Sequence, residues 1–154
     1  MNLKNFNFKK GILYIIEVPT ENEVNFLFKE NYKFEKPLFF HYMEFDHYFS
    51  DFAGTITDTV NLFDLDLELL FDDIDINTKI RNLSNFHSRC LDYLIKSKKF
   101  QVITSLEALS ENSRDKYILF LKKISVLYSD SYTICLDYPS NRNHIDSLKI
   151  NILS

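Results

Sequence analysis

Only two of the 154 residues are glycine, Gly11 and Gly54. That scarcity removes whole classes of site before any element is drawn. A loop that cradles phosphate needs several glycines, because backbone N–H groups must reach the anion with no side chain in the way. A Walker loop, a dinucleotide fingerprint and a kinase glycine loop are all excluded, and no G-x-S-x-G nucleophile elbow occurs. Nucleotide chemistry through the usual motifs is ruled out, and most hydrolase templates go with it. Alanine and arginine are scarce too, at two and four, while Phe, Tyr, Ile, Asn and Lys abound, as an AT-rich gene encodes. The 15 Phe and 9 Tyr therefore read as core material rather than as a ligand platform.

The length fits a single globular domain over residues 1–154 with a sizeable core. No apolar run approaches the ~18 residues that a membrane-spanning helix needs. Met1 to Lys10 mixes Asn, Lys and Phe and has no apolar stretch ending in a small-residue cleavage site, so no signal peptide is read there. The expectation is a cytoplasmic protein with Cys90 and Cys135 as reduced, buried thiols.

Gly11 to Val18 (GILYIIEV) reads as a buried strand ended by Pro19. Thr20 with Glu23 makes a capping box for a helix carrying Val24, Leu27 and Phe28. Leu38 to Phe52 is aromatic-rich and fits helix or strand. Asp64 to Leu69 alternates with period two and reads as a strand entering a helical turn, although Leu67, Leu70, Phe71 and Ile74 also have helical spacing. The spacing predicts a helix over Asn77 to Lys99, with Asn77 as N-cap, and another from Ser113 to about Tyr128. Phe100 to Thr104, Ser131 to Tyr138 and Leu148 to Leu153 read as strands. The order is mixed and non-repeating, which predicts an α+β fold: a small mixed or antiparallel sheet packed with two or three main helices.

Charge is distributed very unevenly. Residues 1–36 carry a net of +1 and residues 79–154 a net of +5. Residues 37–78 contain no Lys or Arg and ten acids: Glu44, Asp46, Asp51, Asp58, Asp64, Asp66, Glu68, Asp72, Asp73 and Asp75. A surface normally interleaves both signs. The bland reading is a solvated face. The sharper one is a surface that meets a basic partner, since summed like charge steers an oppositely charged protein. In Leu62 to Phe71 the acids alternate with large apolar residues, so they belong to ordered structure and not to a disordered tail.

Other constellations are less well spaced. His41, Glu44, Asp46 and His47 form the densest metal-capable cluster. On a helix His41, Glu44 and His47 would share a stripe, and on a strand they would not. His87 and Cys90 at i, i+3 with Cys135 and His144 lack the close ligand pairs of a zinc site. Asp72, Asp73 and Asp75 fail the glycine and glutamate positions of an EF-hand loop. Arg89, Lys96, Lys98, Lys99, Arg114, Lys116, Lys122 and Lys123 are basic with aromatics interleaved, but a pI near 5.5 opposes a polyanion. No cofactor, no metal and no direct nucleic-acid contact are expected.

In this overall character, a small acidic chain with its carboxylates gathered on one ordered stretch, the sequence resembles the immunity proteins of bacterial contact-dependent growth inhibition and related polymorphic toxin systems. The resemblance implies a non-enzymatic cytoplasmic antitoxin that neutralises one cognate toxin domain, commonly a nuclease. The charge pattern itself assigns contact with a basic partner to Asp64, Asp66, Glu68, Asp72, Asp73 and Asp75, with aromatic anchors nearby. The aromatic stretch from Phe39 to Phe52 is the other candidate interface. A hydrolase or metal enzyme centred on His41, Glu44, Asp46 and His47 is the alternative function.

Overall fold

A computed structural model describes residues 6–18, 28, 34–41, 54–66, 75–138 and 149–153. Among the described residues five short strands make one sheet: β1 Leu13–Glu17, β2 Leu38–His41, β3 Gln101–Ser105, β4 Thr133–Asp137 and β5 Lys149–Leu153. Their spatial order is β2-β3-β4-β1-β5. The first four run parallel, with His41 opposite Thr104, Ser105 opposite Leu136 and Glu17 opposite Asp137. β5 returns antiparallel along β1, pairing Tyr14 with Ile152. Parallel strands need cover on both faces, so they read as continuous apolar runs. Accordingly β3 and β4 are buried throughout, and β1 is buried except at Glu17. With its helices this is the expected α+β arrangement around a mixed sheet.

Each face of the sheet has its own core. Leu13, Ile15, Val102 and Cys135 point to one face and pack with residues of the three helices named below. Tyr14, Ile16, Ile103, Ile134 and Leu136 point to the other and meet Phe8 and Phe28. The second core is an aromatic lattice: Phe8 stacks on Phe28 at 5.9 Å, and Tyr14 meets Phe8 edge-on at 5.0 Å. The phenylalanine excess is thus core packing here. The helix expected after Thr20 lies outside the described residues except for Phe28, which is helical and fully buried. Gly11 is needed at its turn: its φ is +78°, and a Cβ there would stand 3.2 Å from Ser129 O.

Among the described residues the full-length helices are α1 Ile56–Phe63, α2 Asn85–Lys96 and α3 Glu111–Leu127. Two starts differ from the sequence reading. Ser84, not Asn77, caps α2 and accepts a hydrogen bond from His87 N–H. The chain before it instead lies along the start of α1, where Ile56 N–H donates to Thr78 O and Thr57 N–H to Ile76 O, and then makes a 3-10 turn over Ile80–Asn82. Ser110, not Ser113, caps α3 and accepts from Ser113 N–H. The strand expected from Asp64 is also corrected. Asp64 is the left-handed C-cap of α1 with φ 52°, and residues 64–66 form no strand, while Leu67 to Leu69 lie outside the described residues. Among the described residues no helix is long and apolar enough to cross a membrane.

Candidate functional site

α1 carries the described part of the acidic stretch. Its N-terminus is a capping box: Asp58 N–H donates to Thr55 Oγ1 at 3.3 Å, and Asp58 Oδ2 accepts from Thr55 N–H at 2.9 Å. Asp58 is exposed but holds the helix. At the other end Asp64 and Asp66 are exposed while Leu65 between them is buried. Leu65 pins the backbone, so the two carboxylates are displayed on fixed chain. Asp75 is exposed in a turn where its Oδ1 accepts from Asn77 N–H at 2.9 Å. Thr57 holds that turn against α1, with its Oγ1 donating to Ile76 O at 3.0 Å. Asp58 thus lies in the first turn of α1, Asp64 and Asp66 at its carboxyl end, and Asp75 in the turn bonded to its amino end. Glu68, Asp72 and Asp73 lie outside the described residues.

Two large apolar side chains stand among these acids. Leu62 is 66% exposed one turn beyond Asp58, and Ile76 is 46% exposed beside Asp75. Cations border the surface in space although none interrupts it in sequence. Lys98 Nζ donates to Asp64 O at 2.8 Å. That contact supplies the positive charge that the carboxyl end of α1 lacks in its own last turn. Of the aromatic stretch only Phe39, Phe40 and His41 are described; the Phe39 ring lies 5.4 Å from that of Phe100 and has Lys96 Nζ 4.8 Å above it.

His41 ends β2 on a strand and is buried. Its Nε2 lies 2.9 Å from Asp92 Oδ2 and its Nδ1 3.3 Å from Thr104 Oγ1. Thr104 Oγ1 in turn lies 2.5 Å from Tyr117 OH. The contacts are satisfied with Tyr117 donating to Thr104, Thr104 to Nδ1, and Nε2–H to Asp92. Both ring nitrogens are engaged, and Glu44, Asp46 and His47 lie outside the described residues. Arg89 enters the same interior at 2% exposure, with Nη1 donating to Ser105 O at 2.9 Å and its guanidinium 5.8 Å from the Tyr117 ring. Burial lowers its pKa, and the same burial raises the pKa values of Tyr117, Cys90 and Cys135. This polar layer at the carboxyl ends of β2 and β3 was missed from sequence. No local sequence signal marks it, because the burial of residues 89–94 on every side comes from the surrounding fold.

Two arginines of the basic set are structural. Arg89 is in the core, and Arg114 forms a two-pronged pair with Asp137, one contact at 3.0 Å. Among the described residues no group of three or more His, Cys, Asp or Glu is placed to hold a metal ion. His87 Nδ1 is 2.6 Å from Ser84 Oγ, Cys90 and Cys135 are free thiols in the core, and His144 lies outside the described residues. A cavity of about 270 Å³ opens at the amino ends of β3 and β4 beside Tyr93 and Tyr132. Its rim lysines are tied down: Lys10 to Glu35 at 3.0 Å, Lys36 to Ser97 O at 2.9 Å and Lys98 to Asp64 O at 2.8 Å. Comparison of the chain with protein-family models, curated proteins and solved structures finds no match.

Proposed function

We propose that the chain is a stoichiometric protein-binding inhibitor, an immunity protein working in the cytoplasm, that neutralises a basic toxin domain of the nuclease class. One observation carries the reading: Asp58, Asp64, Asp66 and Asp75 stand exposed on ordered backbone around the exposed Leu62 and Ile76. A nuclease cleft is positive because it holds phosphates. Carboxylates at fixed positions offer that cleft the charge of its substrate. Because Leu65 and the capping box already hold their backbone, little freedom is lost on docking. Leu62 and Ile76 supply the apolar contact around which a polar rim works. The metal-enzyme reading draws no support from His41, whose two nitrogens already have protein partners.

The test is capture of partners by the full chain from its native host, followed by mass spectrometry. The expected result is one basic protein, retained at low salt, eluted by high salt, and lost when Asp64→Asn and Asp66→Lys are combined. Recovery of the same protein by that variant, undiminished, would contradict the reading.

A further inference from the structure

Six large apolar side chains are exposed among the described residues: Leu62, Ile76, Leu119, Val126, Leu127 and Ile152. Single exposed apolar residues are ordinary. Their sorting is not. Leu62 and Ile76 stand among Asp58, Asp64, Asp66 and Asp75. Leu119, Val126 and Leu127 stand on the outer side of α3, 63%, 72% and 46% exposed, with Lys122 and Lys123 between the first two and the exposed Lys116 one turn earlier. Five of the six thus fall on two surfaces, one acidic and one net basic, where Lys116, Lys122 and Lys123 outnumber the exposed Asp115 on the same side of α3. The inner side of α3 is already satisfied by Tyr117, Phe120, Leu121 and Ile124 in the core, so Leu119 and Val126 do nothing for the folding of their own chain.

The two surfaces adjoin. Tyr128, the C-cap residue of α3, lines the same cavity as Lys98, whose Nζ donates to Asp64 O at 2.8 Å, and burial and then the nearby Asp66 carboxylate raise its phenol pKa. We propose that a second copy of this chain covers both surfaces, the acidic surface of each copy lying on the α3 stripe of the other. Because the surfaces share an edge, a two-fold axis near Asp66 and Tyr128 makes both contacts at once and closes the assembly as a dimer. Opposite charges around apolar centres give the pairing its register, and the same charges oppose stacking α3 on α3, which would bring Lys122 and Lys123 against their own copies. The dimer stands without the inhibitor reading. A basic partner that takes the acidic surface would compete with the second copy.

The test is sedimentation of the full chain, alone, over a range of protein and salt concentrations. The expected result is a dimer that weakens as salt rises. Val126→Asp, at an exposed position, abolishes it. The pairs Lys122→Glu with Lys123→Glu, and Asp66→Lys with Asp75→Lys, each weaken it by about tenfold or more. A chain carrying all four changes recovers most of the lost affinity, because each altered surface again meets its opposite. Circular dichroism checks that every variant is folded. A monomer at all concentrations, a dimer indifferent to Val126→Asp, or a four-change chain no tighter than either pair would overturn the proposal.

Discussion

The most consequential single residues are polar ones in the interior. Asp92 has one carboxylate oxygen on His41 and its other oxygen, Oδ1, buried without a hydrogen-bond partner among the described residues. Removing the imidazole leaves that carboxylate stranded, so His41→Ala should cost about 3 kcal/mol or more in denaturant unfolding. In the double variant with Asp92→Ala the loss should fall well short of the summed single losses, and strict additivity would show that the pair is not coupled. Alkaline stability follows from the thiols. Burial raises the pKa values of Cys90 and Cys135 above the ordinary thiol value of 9.0, so past that pH the folded state keeps both protons while the unfolded chain releases them. Stability is therefore full below about pH 9 and falls as pH rises past it, by up to about 1.4 kcal/mol per pH unit for each thiol. Thiol titration at neutral pH should find neither group until the protein is unfolded, and rapid labelling of the native protein would contradict the burial. Cys90 and Cys135 as reduced, buried thiols were legible in sequence, because both sit between apolar neighbours. Arg89 and Asp92 were not, since a charged residue on a helix is normally solvated and nothing local announces that α2 is covered on every side.

At the scale of elements, β1 and β3 were legible because parallel strands must be apolar on both faces, as GILYIIEV and FQVIT are, whereas the aromatic run holding β2 fitted helix or strand. The acidic element was harder. Period two and helical spacing overlap between Asp64 and Ile74, and what decides the described part is backbone geometry at one position: Asp64 turns left-handed, ends α1, and lets Leu65 drop back into the core. The alternation of exposed and buried residues is real, but a helix exit produces it. The start of α2 was misread for a related reason. Ile80 and Leu83 keep helical spacing with Phe86, yet both belong to the 3-10 turn and its exit rather than to the helix. Three substitutions test the two ends of α1. Thr55→Ala removes half of the capping box and should cost about 1 kcal/mol. Asp64→Gly relieves the left-handed position and should leave stability unchanged or slightly higher, whereas a β-branched Val there should cost roughly 1–2 kcal/mol. If Gly and Val behaved alike in thermal unfolding, the left-handed cap would be wrong. Asp64→Asn is accordingly the clean way to remove the charge, since Asn tolerates that conformation.

For the whole molecule the organising fact is the separation of charge. Ten acids in 42 residues without a cation become, in the described part, an acidic surface on α1, while Lys116, Lys122 and Lys123 line the outer side of α3. The segregation was visible in sequence; that Lys98 bonds Asp64 O at the border of one surface and lines a cavity with Tyr128 at the end of the other needed the fold. Long-range charge acts chiefly on encounter, and short-range packing on residence. The most direct test is therefore the association rate of the captured basic partner with the full chain, measured over a series of salt concentrations for wild type and for Asp64→Asn combined with Asp66→Lys. A slower association in the variant, by about tenfold at low salt, with a shallower dependence on salt and an unchanged circular dichroism spectrum, is the predicted result. An association rate and salt slope equal to those of wild type would contradict the claim that this surface meets the partner.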